Sequence, residues 1–197
     1  MPDKYGEGQD IYCYPDSNVL VNLLGITDND TLSAAEVEFT RFRLEQYVPT
    51  SFNYFSLAIL KDIHHFLFQD LYKWAGDVRT VDISKGSTRF AHCDFIESSA
   101  QKLFDQLAQE NYLNHLPQKE FVSRLAFFYS ELNAIHPFRD GNGRAQRVLF
   151  ECIAVSAGYQ LRWQAIDVEH WMRANAESFF GRLEPLTAQL GQAVSRL

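Results

Sequence analysis

The chain has 197 residues, 46% of them hydrophobic, with 16 Phe and 9 Tyr, enough for one domain with its own core and marginal for two. Its formal charge of -7 argues against broad nucleic-acid binding, which needs a surplus of Lys and Arg, but leaves room for a small phosphate pocket. No stretch nears the ~20 apolar residues of a membrane span, "MPDKYGEGQD" has no secretory h-region, and Cys13, Cys93 and Cys152 form neither a disulfide framework nor a CxxC pattern, so the expectation is a cytoplasmic protein in a reducing compartment.

Residues 1–30 read as an N-terminal extension, mostly loop, with a short helical turn near "SNVLVNLLG". At "LSAAEV", Ser33 and Glu36 fit a capping box, with Leu32 and Val37 as its hydrophobic staple. That helix should run to about Tyr47 and be stopped by Pro49. Over 56–73, Leu57, Leu60, Ile63, Leu67 and Leu71 recur at helical spacing. Gly76 breaks the pattern. His64-His65 has no carboxylate or Cys at ligand spacing and reads as a partly buried or surface pair.

"VRTVDISKGSTRFAH" reads as a hairpin over 78–92. Val78, Val81 and Ile83 are strand formers, Lys85-Gly86 is the turn, and Thr88 to His92 returns. His92-Cys93, at its end, reads as structural. Helices follow at about 97–110, 118–134, 144–157, 167–180 and 183–196. In the second of these, Phe121, Leu125, Phe128 and Leu132, with Ile135 just beyond, share one face. The fold class is therefore mainly α, a helical bundle with one β-hairpin.

Between two apolar helices lies "HPFRDGNGRAQR", residues 136–147. Gly141, Asn142 and Gly143 permit turns that point backbone N–H groups inward, and the next helix adds its N-terminal donors and dipole. Together they form an anion nest. Arg144 and Arg147 project to roughly the same side and suit a di- or triphosphate. Asp140 is a hard oxygen donor for Mg²⁺ where phosphates supply the other oxygens. His136 can take a proton near neutral pH. The set describes Mg²⁺-dependent transfer from a nucleotide, with His136 as general base. Taken singly, each residue has a plainer reading: a turn, solvated arginines, a helix-capping histidine.

Jointly the stretch resembles the Fic family motif, His-Pro-Phe-x-Asp/Glu-Gly-Asn-Gly-Arg-x-x-Arg, at every specified position. Chance agreement is on the order of 10⁻¹⁰ per start position. "LYKWAGDVRTVDISKGSTRFAH", "AGYQL" and "WMRANAES" resemble flanking family segments, and "KYGEGQDIYCYP" and "VLVNLLGIT" resemble the small bacterial Fic toxins. The resemblance implies a single Fic domain over 1–197 with an all-α fold and a hairpin flap.

It further implies AMP transfer from ATP to a target Ser, Thr or Tyr hydroxyl. His136 would be the base and Asp140 would hold Mg²⁺. Gly141, Asn142 and Gly143 would cradle the anion through their backbone. Arg144 would hold the β-phosphate, Arg147 the γ-phosphate, and Asn175 in "RAN" would contact adenine. The flap, Ile83, Ser84, Lys85 and Gly86, would dock the target by edge pairing, with Lys85 or Ile83 clamping its side chain. A branch that phosphorylates its targets carries Lys where this chain has Gly143. Transfer of another nucleoside monophosphate or phosphate-containing group, or a silent nucleotide-binding module, are the rival readings.

Family members are commonly restrained by a helix bearing Ser/Thr-x-x-x-Glu-Gly/Asn, whose glutamate pairs with the second motif arginine. Glu7-Gly8 follows Asp3 and Glu110-Asn111 follows Gln106, so the pattern does not occur. The resemblance is thus to the class I type, toxins held by a separate small antitoxin with an inhibitory helix. The sequence does not name the target; the resemblance implies one such as a type II topoisomerase subunit, which toxins of this type often modify, with no direct nucleic-acid binding and no membrane contact expected.

Overall fold

A computed structural model describes residues 10–48, 52–86 and 88–197. Among these, seven α-helices carry nearly all of the regular structure. Helix α1 (Asn29–Gln46) begins earlier than the Ser33 box implies, because Asp28 accepts hydrogen bonds from Thr31 N at 2.8 Å and Thr31 Oγ1 at 2.6 Å. Ser33 and Glu36 therefore lie inside the helix, and Val37 is 58% exposed, so there is no staple. Its end at Gln46 agrees with expectation, while Pro49 lies outside the described residues. No helical turn forms near 17–25. Instead, buried Asn22 ties that loop, donating to Leu20 O (2.9 Å) and Ile26 O (2.7 Å) and accepting from the amides of Leu24 and Ile26.

Helix α2 (Leu57–Phe68) is capped by Ser56 and stops short of residue 73. The chain turns after Phe68, and the Leu71 carbonyl is taken by Leu23 N (2.8 Å), a tertiary bond where a longer helix would have made a local one. Leu67, Phe68 and Leu71 are nonetheless fully buried. Helices α3 (Ile96–Gln109), α4 (Gln118–Ile135), α5 (Asn142–Ser156) and α6 (Val168–Ser178) match the expected segments to within two residues. The core lies where α5 packs on α2 and α4, around Phe121, Leu125, Phe138 and Leu149.

Helix α7 (Glu184–Ala193) ends before residue 196. The chain turns extended at Val194, and β4 (Val194–Arg196) pairs antiparallel with β3 (Tyr159–Leu161), placing Leu161 opposite Val194. The bundle thus carries a second strand pair besides the hairpin. Burial of Tyr159, Leu161 and Val194 explains the switch, since two β-branched or aromatic faces close the end of the core.

The hairpin is shorter than 78–92. Strands β1 (Ser84–Lys85) and β2 (Thr88–Arg89) pair two by two, and Phe90 N adds one bond to Ile83 O at 3.3 Å. Residues 78–82 serve another purpose. Arg79, only 1% exposed, turns its guanidinium inward and donates to Val81 O (2.6 Å), Ala91 O (2.5 Å), Ile135 O (3.3 Å) and His136 O (2.9 Å). One side chain therefore holds both hairpin legs to the end of α4.

Replacing Arg79 by Leu leaves these carbonyls without donors, at about 1–3 kcal/mol each. The expected loss is about 3 kcal/mol or more, a fall in Tm of roughly 6–12 °C for a chain of this size. Arg79→Lys should not restore it, because one ammonium cannot span four carbonyls. Calorimetry reads both, and an unchanged Tm in the Leu variant would contradict this account.

Candidate active site

Helix α4 ends at Ile135, and His136 caps it in the left-handed region at φ 49°. That conformation is unusual for a residue with a Cβ, and bonds at both ends enforce it: His136 N donates to Leu132 O (3.0 Å) and Arg79 Nε to His136 O (2.9 Å). The imidazole Nδ1 lies 3.1 Å from Asn133 O. A carbonyl can only accept, so Nδ1 carries the proton and Nε2 holds the lone pair. Phe90 stacks on the ring at 3.8 Å and 17°, fixing its plane.

The loop then enters the core. Phe138 is fully buried and stacks on His64 at 3.9 Å. The Asn142 side chain closes the loop on itself, accepting from Phe138 N (2.8 Å) and donating to Phe138 O (2.7 Å). Arg139, 2% exposed, pairs with Asp10 at 2.5 Å, so it is structural. Gly141 has φ 77°, and a Cβ there would sit 2.4 Å from the Phe68 ring. Only glycine fits. Asp140 Oδ1 accepts from Gly141 N (2.6 Å), and its side chain is 13% exposed.

Helix α5 starts at once, presenting the amides of Asn142 and Gly143 at its N-terminus, where helical amides have no partner within the helix. Arg144 is held from three sides: it pairs with Glu36, its Nη1 reaches Thr40 Oγ1 at 3.4 Å, and its guanidinium lies 4.6 Å from the Phe68 ring centroid. Glu36 is itself fixed by the Tyr72 hydroxyl, which donates to it at 2.6 Å. A cavity of about 450 Å³ brings together His136, Asp140, Gly141, Asn142, Gly143, Arg144, Arg147, Asn175 and Lys85, a volume that suits one small-molecule ligand.

Residues 54–154 match the Fic/DOC family. Over 195 residues the chain is 44% identical to the "Probable protein adenylyltransferase Fic" of Salmonella typhimurium, covering 99% of this chain and 97% of that one. The chain belongs to the Fic/DOC family. It is also 40% identical to the protein adenylyltransferase VbhT of Bartonella schoenbuchensis over 94% of its own length, though this spans 39% of that longer protein. The fold superposes on the crystal structure of BepC from Bartonella tribocorum with bound AMPPNP, with a TM-score of 0.87, 25% identity, and coverage of 94% of this chain and 97% of that one.

Within this Fic domain the flap differs in part from expectation. Lys85 lines the cavity, but the Ile83 side chain is 4% exposed and packs inward, so it is not available to clamp a target. Ser84 and Gly86 belong to the hairpin without lining the cavity. Asn175 lines it, with its amide bonded to Trp171 O (2.8 Å) and to Asn133 (3.4 Å).

Four positioning groups escaped sequence reasoning: Glu36, Phe90, Arg79 and His64. The last is fully buried, deeper than the partly buried or surface position expected of the His64-His65 pair. Gly76 N donates to its Nδ1 (2.9 Å), so Nε2 carries the proton and donates to Asp140 O (2.9 Å). Burial pushes its pKa down to about 4.

The neutral imidazole is thus part of the folded Fic loop. Because the folded pKa lies below the usual value near 6.5, the unfolded chain takes up the proton first as pH falls. Its contribution is present above pH ~6.5 and lost between about 6.5 and 4, on the order of 3 kcal/mol in all. Urea denaturation across this range should show the loss, and His64→Gln should flatten that part of the pH profile. An unaltered profile in the variant would rule out His64 as the source.

Proposed function

We propose that the chain is a protein adenylyltransferase that moves AMP from ATP to a Ser, Thr or Tyr hydroxyl of a target protein. The observation that carries this reading is one cavity in which an Nδ1-protonated histidine faces the same space as a helix N-terminus and two arginines. Adenylyltransferase relatives and the AMPPNP-bound structure support it.

His136 Nε2 takes the proton from the target hydroxyl. The freed oxygen attacks the α-phosphorus in line, the bond from that phosphorus to the bridging oxygen breaks, and pyrophosphate leaves. The Asn142 and Gly143 amides receive charge on the phosphates. Arg144 and Arg147 hold the β- and γ-phosphates, preventing rotation of the leaving group. Asp140 presents a carboxylate to the cavity, a donor that fits Mg²⁺ beside phosphate oxygens. When bound there, Mg²⁺ would neutralise charge on the α- and β-phosphates. Asn175 contacts adenine, and the edge of the β1–β2 flap pairs with an extended target segment under Lys85. A Cβ at Gly143 would meet only Arg147 Nη1, at 3.9 Å, so a larger side chain would enter the phosphate space. Glycine at 143 therefore favours AMP transfer over phosphate transfer.

The same reading makes the chain the toxin of a pair acting in the cytoplasm, on a target such as a type II topoisomerase subunit. Beside the cavity, Val37 and Leu44 of α1 line a groove that reaches Arg144 and Arg147, and they are 58% and 39% exposed. An apolar helix with one glutamate suits this groove. The glutamate would take the γ-phosphate's place on Arg147.

His136→Ala should lower transfer by ~10²–10⁴ while leaving ATP affinity near the parent value. Labelled-ATP transfer and calorimetric titration read the two quantities. Transfer at the parent rate would remove His136 from its role. The purified chain with ATP and Mg²⁺ should modify lysate protein unaided, and a small helical partner should suppress this. Changing that partner's glutamate to Gly should restore transfer without dissolving the complex. A folded chain that binds ATP yet modifies nothing would point to restraint within the chain itself.

A further inference from the structure

Asp82 stands on the leg entering the flap, and His92 and Cys93 on the leg leaving it. Side-chain ligand atoms of these three residues lie within 4.8 Å of one another. Among the described residues it is the one set of three His, Cys, Asp or Glu groups so arranged. His92 Nε2 is 3.2 Å from Asp82 Oδ2. Ligands around a tetrahedral Zn²⁺ stand roughly 3.3–3.7 Å apart, given bonds of about 2.0–2.3 Å. The nitrogen–oxygen edge of such a site is therefore nearly in place, and the thiol closes by rotation of one side chain.

The surroundings prepare the site. Asp82 Oδ1 is oriented by the Cys93 amide at 2.8 Å. His92 Nε2 is the nitrogen that faces Asp82, and Asp94 Oδ2 stands 3.6 Å from Nδ1, where it can take the ring proton's hydrogen bond once Nε2 is a ligand, in place of the bond Nδ1 now accepts from Asp94 N. The Arg79 guanidinium pins Val81 O and Ala91 O, so the backbone on both legs is already gathered. The donor set decides the class of ion. One imidazole, one carboxylate and one thiol match a borderline metal such as Zn²⁺, whereas Mg²⁺ and Ca²⁺ take oxygen ligands. None of the three residues lines the nucleotide cavity.

We propose that Asp82, His92 and Cys93 form a transition-metal site, matched to Zn²⁺, that clamps the two legs of the flap. Binding takes the Nε2 lone pair of His92, whose single ring proton then sits on Nδ1, and the Cys93 thiol loses its proton to solvent as the thiolate binds. Three protein ligands leave a fourth position for water. The site stands whether or not the chain transfers AMP, and it makes the flap's stiffness depend on free metal.

The test uses the full chain, reduced and metal-free, titrated with Co²⁺ as a spectroscopic probe. At one equivalent, a thiolate-to-Co²⁺ charge-transfer band should appear together with tetrahedral d–d bands. One equivalent of Zn²⁺ should remove them, and excess Mg²⁺ should not. Cys93→Ser should abolish the charge-transfer band, and Asp82→Asn and His92→Gln should each weaken binding by about tenfold or more, the scale typical of a disrupted metal site. With Zn²⁺, amide exchange over residues 84–90 should slow in the parent chain and not in the Cys93→Ser variant. All three side chains are at least partly exposed, and circular dichroism verifies that each variant folds. Absence of the charge-transfer band, or its persistence in Cys93→Ser through another cysteine, would overturn the site. Metal binding with unchanged exchange would overturn the clamp.

Discussion

A single buried guanidinium organises this molecule. Arg79 is nearly inaccessible, and burial pulls its pKa below the ordinary guanidinium value, yet it stays charged because arginine does not deprotonate in proteins. A carboxylate oxygen of Asp82 is 3.9 Å away. The charge is instead met by carbonyl oxygens from both flap legs and from residues 135 and 136. The left-handed turn that aims His136 and the position of the hairpin above it are therefore consequences of the same set of bonds. Neither can shift without exposing the charge to a poorly solvated interior.

The motif loop obeys a second constraint. It must stay polar at the cavity while its back is buried among aromatic rings. Asn142 resolves this by bonding both polar atoms of the Phe138 backbone, and His64 does so by bonding the Asp140 carbonyl. Gly141 fits because Phe68 and His64 occupy the space a side chain would need. Residues that a chemical reading assigns to phosphate thus divide their work. The Asn142 side chain builds the loop, while its backbone amide stands at the N-terminus of α5 beside the cavity.

Much of this was legible in the chain itself. Helices α3 to α6 follow from apolar spacing, because their buried faces are continuous. The motif positions from His136 to Arg147 were legible because chemistry and turn geometry demand rare residue types in a fixed order. Most of what escaped was set by tertiary contact. The α2 terminus is drawn out by Leu23 and β4 pairs with the edge that β3 offers, whereas the Asp28 cap, which bonds Thr31 three residues on, is a local signal passed over in favour of Ser33. Arg79, His64 and Glu36 carry no local signature at all. Their roles depend on partners 12 to more than 100 residues away. Ile83 was offered with Lys85 as a clamp on the target because strand spacing does not reveal which face of so short a hairpin is covered.

Under the proposed function, the Glu36–Arg144 pair gives nucleotide recognition the character of an exchange. In the proposed arrangement, a β-phosphate arrives at an arginine that already has a carboxylate and an aromatic face as neighbours. It must displace or share that carboxylate, which keeps the Tyr72 hydroxyl as a partner after release. The gain from this contact is then a difference between two ion pairs rather than the full strength of one. A ligand without a β-phosphate has no means of making the exchange and leaves the pair intact. In that arrangement helix α1, through one glutamate, lowers the net gain a β-phosphate draws from Arg144 and keeps the arginine paired once the leaving group has gone.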